Sequence, residues 1–361
     1  MPKPAVLFGG PSPEHDVSIL TGLQAARALG EVSCVYWAKD GQFWEVDPGL
    51  EAEAFADGVP RRSGQLRLVA GEGLVGKRRA LELSAVVNCC HGGPGEDGTV
   101  QAAMDLAGIP YTGPNVPGAA LGMDKLAFGD VVTAAGLPSL PRLALGAGLG
   151  KVPWDGPSIV KPRFGGSSIG IEVVEDATTA VHLLSASPHL RAGAVVEPYR
   201  ADAFDLNVAV RSWPDLQLSA IEKPVRRQGG PILGYHDKYL GGEGMASAPR
   251  ELPADLPAEV EGRVREAALT VARLTGVRGV ARLDFLAAGD DAAELYVNEI
   301  NTIPGSLARY LWVEPGPVVP FRRLLDDLLE EAARRPSFHW STQGADGVAL
   351  RAAGSIAGKL A

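Results

Sequence analysis

Over residues 1–112 short apolar runs alternate with stretches whose apolar positions recur at the helical period. Val6–Phe8 reads as a buried strand that ends in Gly9-Gly10, and a helix is predicted over Ser18–Leu29. Further strands are expected near Val32–Trp37 and Val86–Cys89, and a helix over Thr99–Leu106, stopped by Gly108 and Pro110. Strands that alternate with helices imply a parallel sheet with helices on its faces. In such sheets ligands sit at the carboxyl ends of the strands, where Gly9, Gly10 and His91 fall.

A second segment, 113–196, has a predicted helix over Lys125–Ala135, then strands over Ser158–Pro162 and Ile169–Val174 with a Gly/Ser loop between them. A third, 197–335, is rich in strand patterns: Asn207–Val210, Gln217–Ile221, Ala281–Leu286 and Leu295–Asn298. Val260, Val264, Ala267, Ala268, Val271 and Leu274 mark one helix face, halted by Gly276. Phe321, Leu324, Leu325, Leu328 and Leu329 mark another, opened by Pro320. The Gly- and Pro-rich stretch 225–253 reads as either a lid loop or a disordered segment. Residues 336–361 form a Gly/Ala-rich tail with no evident chemistry.

Composition narrows the function. Across 361 residues, 46% are apolar and 21% charged, as in ordinary globular proteins. The net charge of −9 argues against nucleic acid or an anionic membrane as a partner. No run of about 18 apolar residues could span a bilayer, and the amino terminus carries no leader pattern. The three cysteines, Cys34, Cys89 and Cys90, lack metal-type spacing and suit a reducing compartment, so a cytoplasmic location is expected.

Two predicted strands carry the sharpest chemistry. Residues two apart on a strand share a face, so Arg282 and Asp284 point one way on the first, as do Glu299 and Asn301 on the second. If these strands are neighbours, Asp284, Glu299 and Asn301 converge as a hard-oxygen ligand set suited to Mg²⁺. The plainer alternative is a solvated polar face, opposed by the apolar opposite faces and by the turn Thr302-Ile303-Pro304-Gly305. Lys161 precedes Pro162-Arg163-Phe164-Gly165-Gly166-Ser167-Ser168, a small-residue loop whose N–H groups could approach phosphate. A Gly-rich hairpin explains that segment equally well. Glu14 lies beyond a strand end near a helix entry, where an acid is common for dipole reasons alone. The loop His91–Thr99 holds four glycines around His91 and Glu96, more than a capped junction needs.

Taken together and in order, VLFGG-x-S-x-EH-x-VS, HG-x₂-GEDGT-x-Q, GIPYTG, MDK, VKP-x₄-SSIG, DKY, AR-x-DF and NEINTIPG resemble the D-alanine–D-alanine ligase family of the ATP-grasp superfamily. The resemblance implies an α/β fold, α+β in the ATP-binding part. An amino-terminal parallel α/β domain (1–112) would precede a central ATP-grasp domain (113–196) and a carboxyl-terminal one (197–335). It implies ATP-dependent joining of two D-alanines through an acyl phosphate, for peptidoglycan precursor synthesis, with two Mg²⁺ or Mn²⁺ ions and a homodimeric state. Lys125, Lys161, Ser168, Glu197 and Asp205 would then contact ATP, and Asp284, Glu299 and Asn301 the metal. Glu14, Ser167, Tyr239, Arg282 and Gly305 would be catalytic. His91, Lys238, Ser306 and Leu307 would bind substrate.

Two departures bear on the second substrate. The family has Phe or Met, then Thr, after the Pro-Gly step and reaches a Ser-Leu pair a few residues later, whereas here Ser306-Leu307 follows Gly305 at once. Asp205 stands where the family has Glu, one residue further along. An acceptor other than D-alanine, or a nucleotide-binding regulator without catalysis, are the alternatives. Tyr239 rather than His in the lid favours an amine acceptor by resemblance.

Overall fold

The computed structural model describes residues 2–225, 249–289, 292–335, 341–353 and 356. Three sheets organise the described residues. The first has six strands: β1 (Lys3–Gly9), β2 (Ser33–Trp37), β3 (Phe43–Val46), β4 (Gly64–Val69), β5 (Gly73–Val75) and β6 (Leu83–Asn88), in the order β5-β4-β3-β2-β1-β6. β1 is parallel to β2 and β6, as the patterning predicts. The outer strands are antiparallel, however, so the sheet is mixed. β3 to β5 escape the patterning because they are short and β4 buries only Leu66 fully. Helix α1 (His15–Leu29) starts three residues before the predicted Ser18, and α2 (Thr99–Ala107) ends at Gly108 in the left-handed region.

Next come α3 (Val116–Met123) and α4 (Lys125–Ala134), the latter capped by the Asp124 carboxylate on the amides of Leu126 and Ala127. β7 (Leu143–Leu145), β8 (Ser158–Pro162), β9 (Glu172–Val174) and β10 (Ala194–Pro198) form an antiparallel sheet ordered β7-β10-β8-β9, with α5 (Ala177–Ala186) between β9 and β10 in sequence. β9 is shorter than the predicted 169–174 strand, because Ser167 and Ser168 take positive φ and the loop continues to Gly170.

The third sheet is antiparallel: β11 (Phe204–Arg211), β12 (Gln217–Pro224), β13 (Arg250–Glu251), β14 (Val280–Ala288) and β15 (Glu294–Asn301), ordered β13-β12-β11-β14-β15. Helix α6 (Ala258–Thr275) covers one face with Val260, Val264, Ala267, Ala268 and Val271, as its period predicts, whereas Leu274 in its last turn is exposed. Helix α7 (Phe321–Arg334) packs Leu324, Leu325 and Leu328 into a core shared with Phe8 and Leu23. Of the tail, Val348–Ala352 forms a short exposed helix. Of the lid span, 226–248 lies outside the described residues, while β13 pairs Glu251 with Lys223 and Arg250 with Pro224.

Candidate active site

A deep cleft opens between the β7–β10 sheet and the β11–β15 sheet and runs to the carboxyl ends of β1 and β6. On its third-sheet wall, strand register sets a row across four strands. Glu222 of β12 pairs with Asn207 of β11, Asn207 with Asp284 of β14, and Asp284 with Glu299 of β15. One step along, Arg282 faces Asn301. The convergence predicted from two-residue spacing is thus present as cross-strand neighbours.

The charges in this row are paired. Arg282 forks onto Asp284, Nε to Oδ1 at 2.6 Å and Nη2 to Oδ2 at 2.7 Å. Asn301 donates to the same Oδ2 at 3.0 Å. Burial works against the Arg282 cation, but Asp284 beside it raises its pKa well above the ordinary value. Glu299 meets Lys125 Nζ at 3.0 Å, and that ammonium also donates to the Gly165 carbonyl at 2.6 Å. Among the described residues, no three His, Cys, Asp or Glu side chains cluster as a metal site. The set here is two carboxylates and an amide.

On the central wall, Lys161 of β8 reaches Glu197 of β10 at 2.8 Å, and Arg142 reaches the other carboxylate oxygen at 2.6 Å. Glu197 is fully buried. Burial pushes its pKa up, but Lys161 and Arg142 outweigh that and hold it below the usual range. Both carboxylate oxygens of Glu197, which the resemblance places among the ATP contacts, are therefore engaged by cations. Lys161, Glu197, Ser168 and Asp205 all line the cleft.

At the amino-terminal end, the Glu14 carboxylate accepts a hydrogen bond from the Ser167 hydroxyl. Two glycines let backbone close on it. A Cβ at Gly166 would come within 2.8 Å of Glu14 Oε2, and one at Gly92, whose φ is +63°, would collide with the same oxygen. This close approach accounts for part of the glycine density around His91.

His91 is buried and held at both ring nitrogens. Nδ1 lies 2.7 Å from the Ile303 carbonyl and Nε2 lies 2.8 Å from Thr21 Oγ1. Burial lowers its pKa to about 4, so the ring is neutral. Glu96, absent from the sequence-derived set, clamps the loop after β15: Oε1 accepts from the Ile303 amide at 2.9 Å and from Thr302 at 3.2 Å, and Oε2 from the Gly92 amide at 3.0 Å. Burial, then the charge of Glu14, pushes its pKa up to about 7.

Past Gly305 the chain makes a tight 3₁₀ turn (Gly305–Leu311) in which Ser306, Leu307 and Ala308 all take φ near +50°. Gly305 lines the cleft, but the Ser306 and Leu307 side chains do not. Leu307 is packed in the core with Phe8, Leu23 and Trp312, because the left-handed turn rotates it away from the site. Lys238 and Tyr239 lie outside the described residues.

Family models describing the D-ala D-ala ligase N-terminus and C-terminus match residues 3–114 and 154–330. A D-alanine–D-alanine ligase of Synechococcus sp. (strain CC9605) is 32% identical, over 91% of this chain and 97% of that protein. One of Bradyrhizobium sp. (strain ORS 278) is 31% identical, over 92% and 95%. The chain belongs to the D-alanine–D-alanine ligase family. Its fold is that of the D-alanine–D-alanine ligase of Helicobacter pylori, at a TM-score of 0.73, 24% identity and coverage of 94% of this chain and 100% of that one. The VanG D-Ala:D-Ser ligase of Enterococcus faecalis shares it too, at 0.72 and 24%, over 92% and 99%. As in the ATP-grasp family, two antiparallel sheets face each other across the cleft. No helix among the described residues is long and apolar enough to cross a membrane.

Proposed function

We propose that this chain joins two D-alanines at the expense of ATP, forming D-alanyl-D-alanine for peptidoglycan precursors. The observation that carries the reading is the placement of Glu14 and Ser167 in the same cleft as the Asp284–Glu299 row, Arg282 and Gly305. On this reading an ammonium-binding carboxylate stands beside a phosphoryl-transfer apparatus.

The residues fit Mg²⁺ or Mn²⁺, as their donors are hard oxygens on adjacent strands. Asp284, Glu299 and Asn301 would hold two such ions, which would neutralise the ATP phosphates. Glu14 binds the ammonium of the first D-alanine and thereby directs its carboxylate toward the γ-phosphate. Lys125, Lys161 and the Gly/Ser loop position the phosphates, with Asp205 at the ribose. Phosphoryl transfer to a bound carboxylate needs chiefly positioning and charge neutralisation. The carboxylate oxygen bonds to phosphorus and ADP leaves. The deprotonated amine of the second D-alanine then attacks the acyl carbon. Arg282 and the Gly305 N–H meet the oxyanion, which collapses and expels phosphate.

A lid over residues 225–253, with Lys238 and Tyr239, would exclude water from the acyl phosphate. We assign the protein to the cytoplasm, where ATP and reduced cysteines coexist, as a homodimer by family resemblance. Incubation with ATP, Mg²⁺ and D-alanine should yield dipeptide, ADP and phosphate in equal amounts. ATP turnover only with a different acceptor, such as D-serine, would move the acceptor assignment, and none with any acceptor would favour a regulator.

A further inference from the structure

Helix α1 carries a buried polar stripe: Glu14, which lines the cleft at its N-terminal boundary, then Ser18 and Thr21 behind it. The spacing is i, i+4, i+7, two turns along one side of a helix. Burying polar groups is costly unless each is bonded, and each of these is tied to a different loop. Glu14 takes the Ser167 hydroxyl of the Gly/Ser loop. Ser18 accepts from the Gly9 amide at 2.7 Å and donates to the Cys89 carbonyl at 2.8 Å, fixing the ends of β1 and β6.

Thr21 reaches furthest. Its partners are His91, 70 residues away, and the Ser306 amide, 285 residues away at 3.1 Å. The proton order follows from donor and acceptor identity. The Ile303 carbonyl can only accept, so the proton sits on His91 Nδ1. In a neutral ring Nε2 is then an acceptor, so the Thr21 hydroxyl donates to it. That leaves the Thr21 lone pair for the Ser306 N–H. The relay is Ser306 N–H to Thr21 O–H to His91, whose far side holds Ile303. It fixes the backbone on both sides of Gly305.

The pinned backbone needs holding. Ser306, Leu307 and Ala308 sit consecutively in the left-handed region, with φ between 50° and 51°. Non-glycine residues there are strained and persist only when surroundings over-determine them. We infer that Thr21 is a positioning residue for the acceptor step. It sets the Ser306 backbone two turns along the helix whose N-terminal boundary carries the donor-binding Glu14, so α1 spaces the acyl donor from its acceptor. This rests on the ligase reading above.

Two nucleophiles separate the steps. D-alanine as acceptor needs its own subsite. Hydroxylamine traps an acyl phosphate as the hydroxamate without one. In Thr21→Val, which keeps the shape but loses the hydroxyl, dipeptide formation should fall roughly ten- to a hundredfold. Hydroxamate formation should stay within about twofold, a sign that the fold and donor step survive. Thr21→Ser should restore the wild-type partition. If the valine variant does not fold, Thr21→Ala against Thr21→Ser makes the same comparison. An unchanged partition in the variants lacking the hydroxyl, or an equal loss of both products, overturns the inference. A wild-type protein that makes neither product from ATP and D-alanine overturns the ligase reading, and this inference with it.

Discussion

Glu14 and Ser167 lie 153 residues apart in sequence, yet the serine hydroxyl donates directly to the glutamate carboxylate. The bond joins the entry of α1 to the Gly/Ser loop, so the proposed ammonium site and phosphate loop are set against each other. Ser167→Ala should raise the KM for the first D-alanine by about tenfold, near the roughly 1.4 kcal/mol of one hydrogen bond to a charged group. Initial-rate kinetics at saturating ATP check this. Unchanged kinetics would separate the loop from donor binding.

Asp284→Asn and Glu299→Gln should each lower turnover by at least about 10³-fold, since each removes an anionic member of the proposed metal set. Both should retain a cooperative unfolding transition. Asp284→Asn also deprives buried Arg282 of its partner, so it should be the less stable of the two. Thermal unfolding alongside ADP release checks both expectations.

Lys161, Arg142 and Glu197 form a buried triad in which one carboxylate answers two cations. Glu197→Ala leaves those cations uncompensated and should cost about 3–5 kcal/mol of stability. The deficit should appear in urea unfolding without any nucleotide present. A mutant of wild-type stability with a raised KM for ATP would instead mean that Glu197 serves nucleotide binding alone.

His91 and Glu96 give stability opposite pH dependences. The His91 pKa falls to about 4 on folding. Its contribution is fully present above the ordinary histidine value and is lost as pH falls through that value toward about 4. The Glu96 pKa rises to about 7. Its contribution is full below the ordinary glutamate value and lost as pH rises through about 7. Urea midpoints for Glu96→Gln, measured between about pH 5 and pH 8, should fall less with rising pH than those of wild type. Parallel curves would show that Glu96 is already ionised across that range.

Much of this site was legible because strand alternation is a strict period. Asp284, Glu299 and Asn301 could be placed on a common face from spacing alone, and the register bears the placement out. The apolar faces of α6 and α7 were equally plain. The roles that are not legible in the sequence depend on distant partners. Thr21 looks like an ordinary helical threonine until its bonds to His91 and Ser306 are seen. Glu96 sat within a suspected site loop, but its clamp on Thr302 and Ile303 depends on a tertiary approach. The turn of the Leu307 side chain into the core is not legible, because nothing local announces three consecutive left-handed residues without glycine. The outer strands β4 and β5 were missed for the opposite reason, having little buried alternation to detect.

The most direct measurement follows oxygen. With D-alanine labelled by ¹⁸O in its carboxylate, a reaction through an acyl phosphate must carry one carboxylate oxygen into the released phosphate. Mass spectrometry of that phosphate should show one ¹⁸O atom for each dipeptide formed. Phosphate without label, while dipeptide accumulates, would contradict activation of the carboxylate by phosphoryl transfer in this cleft.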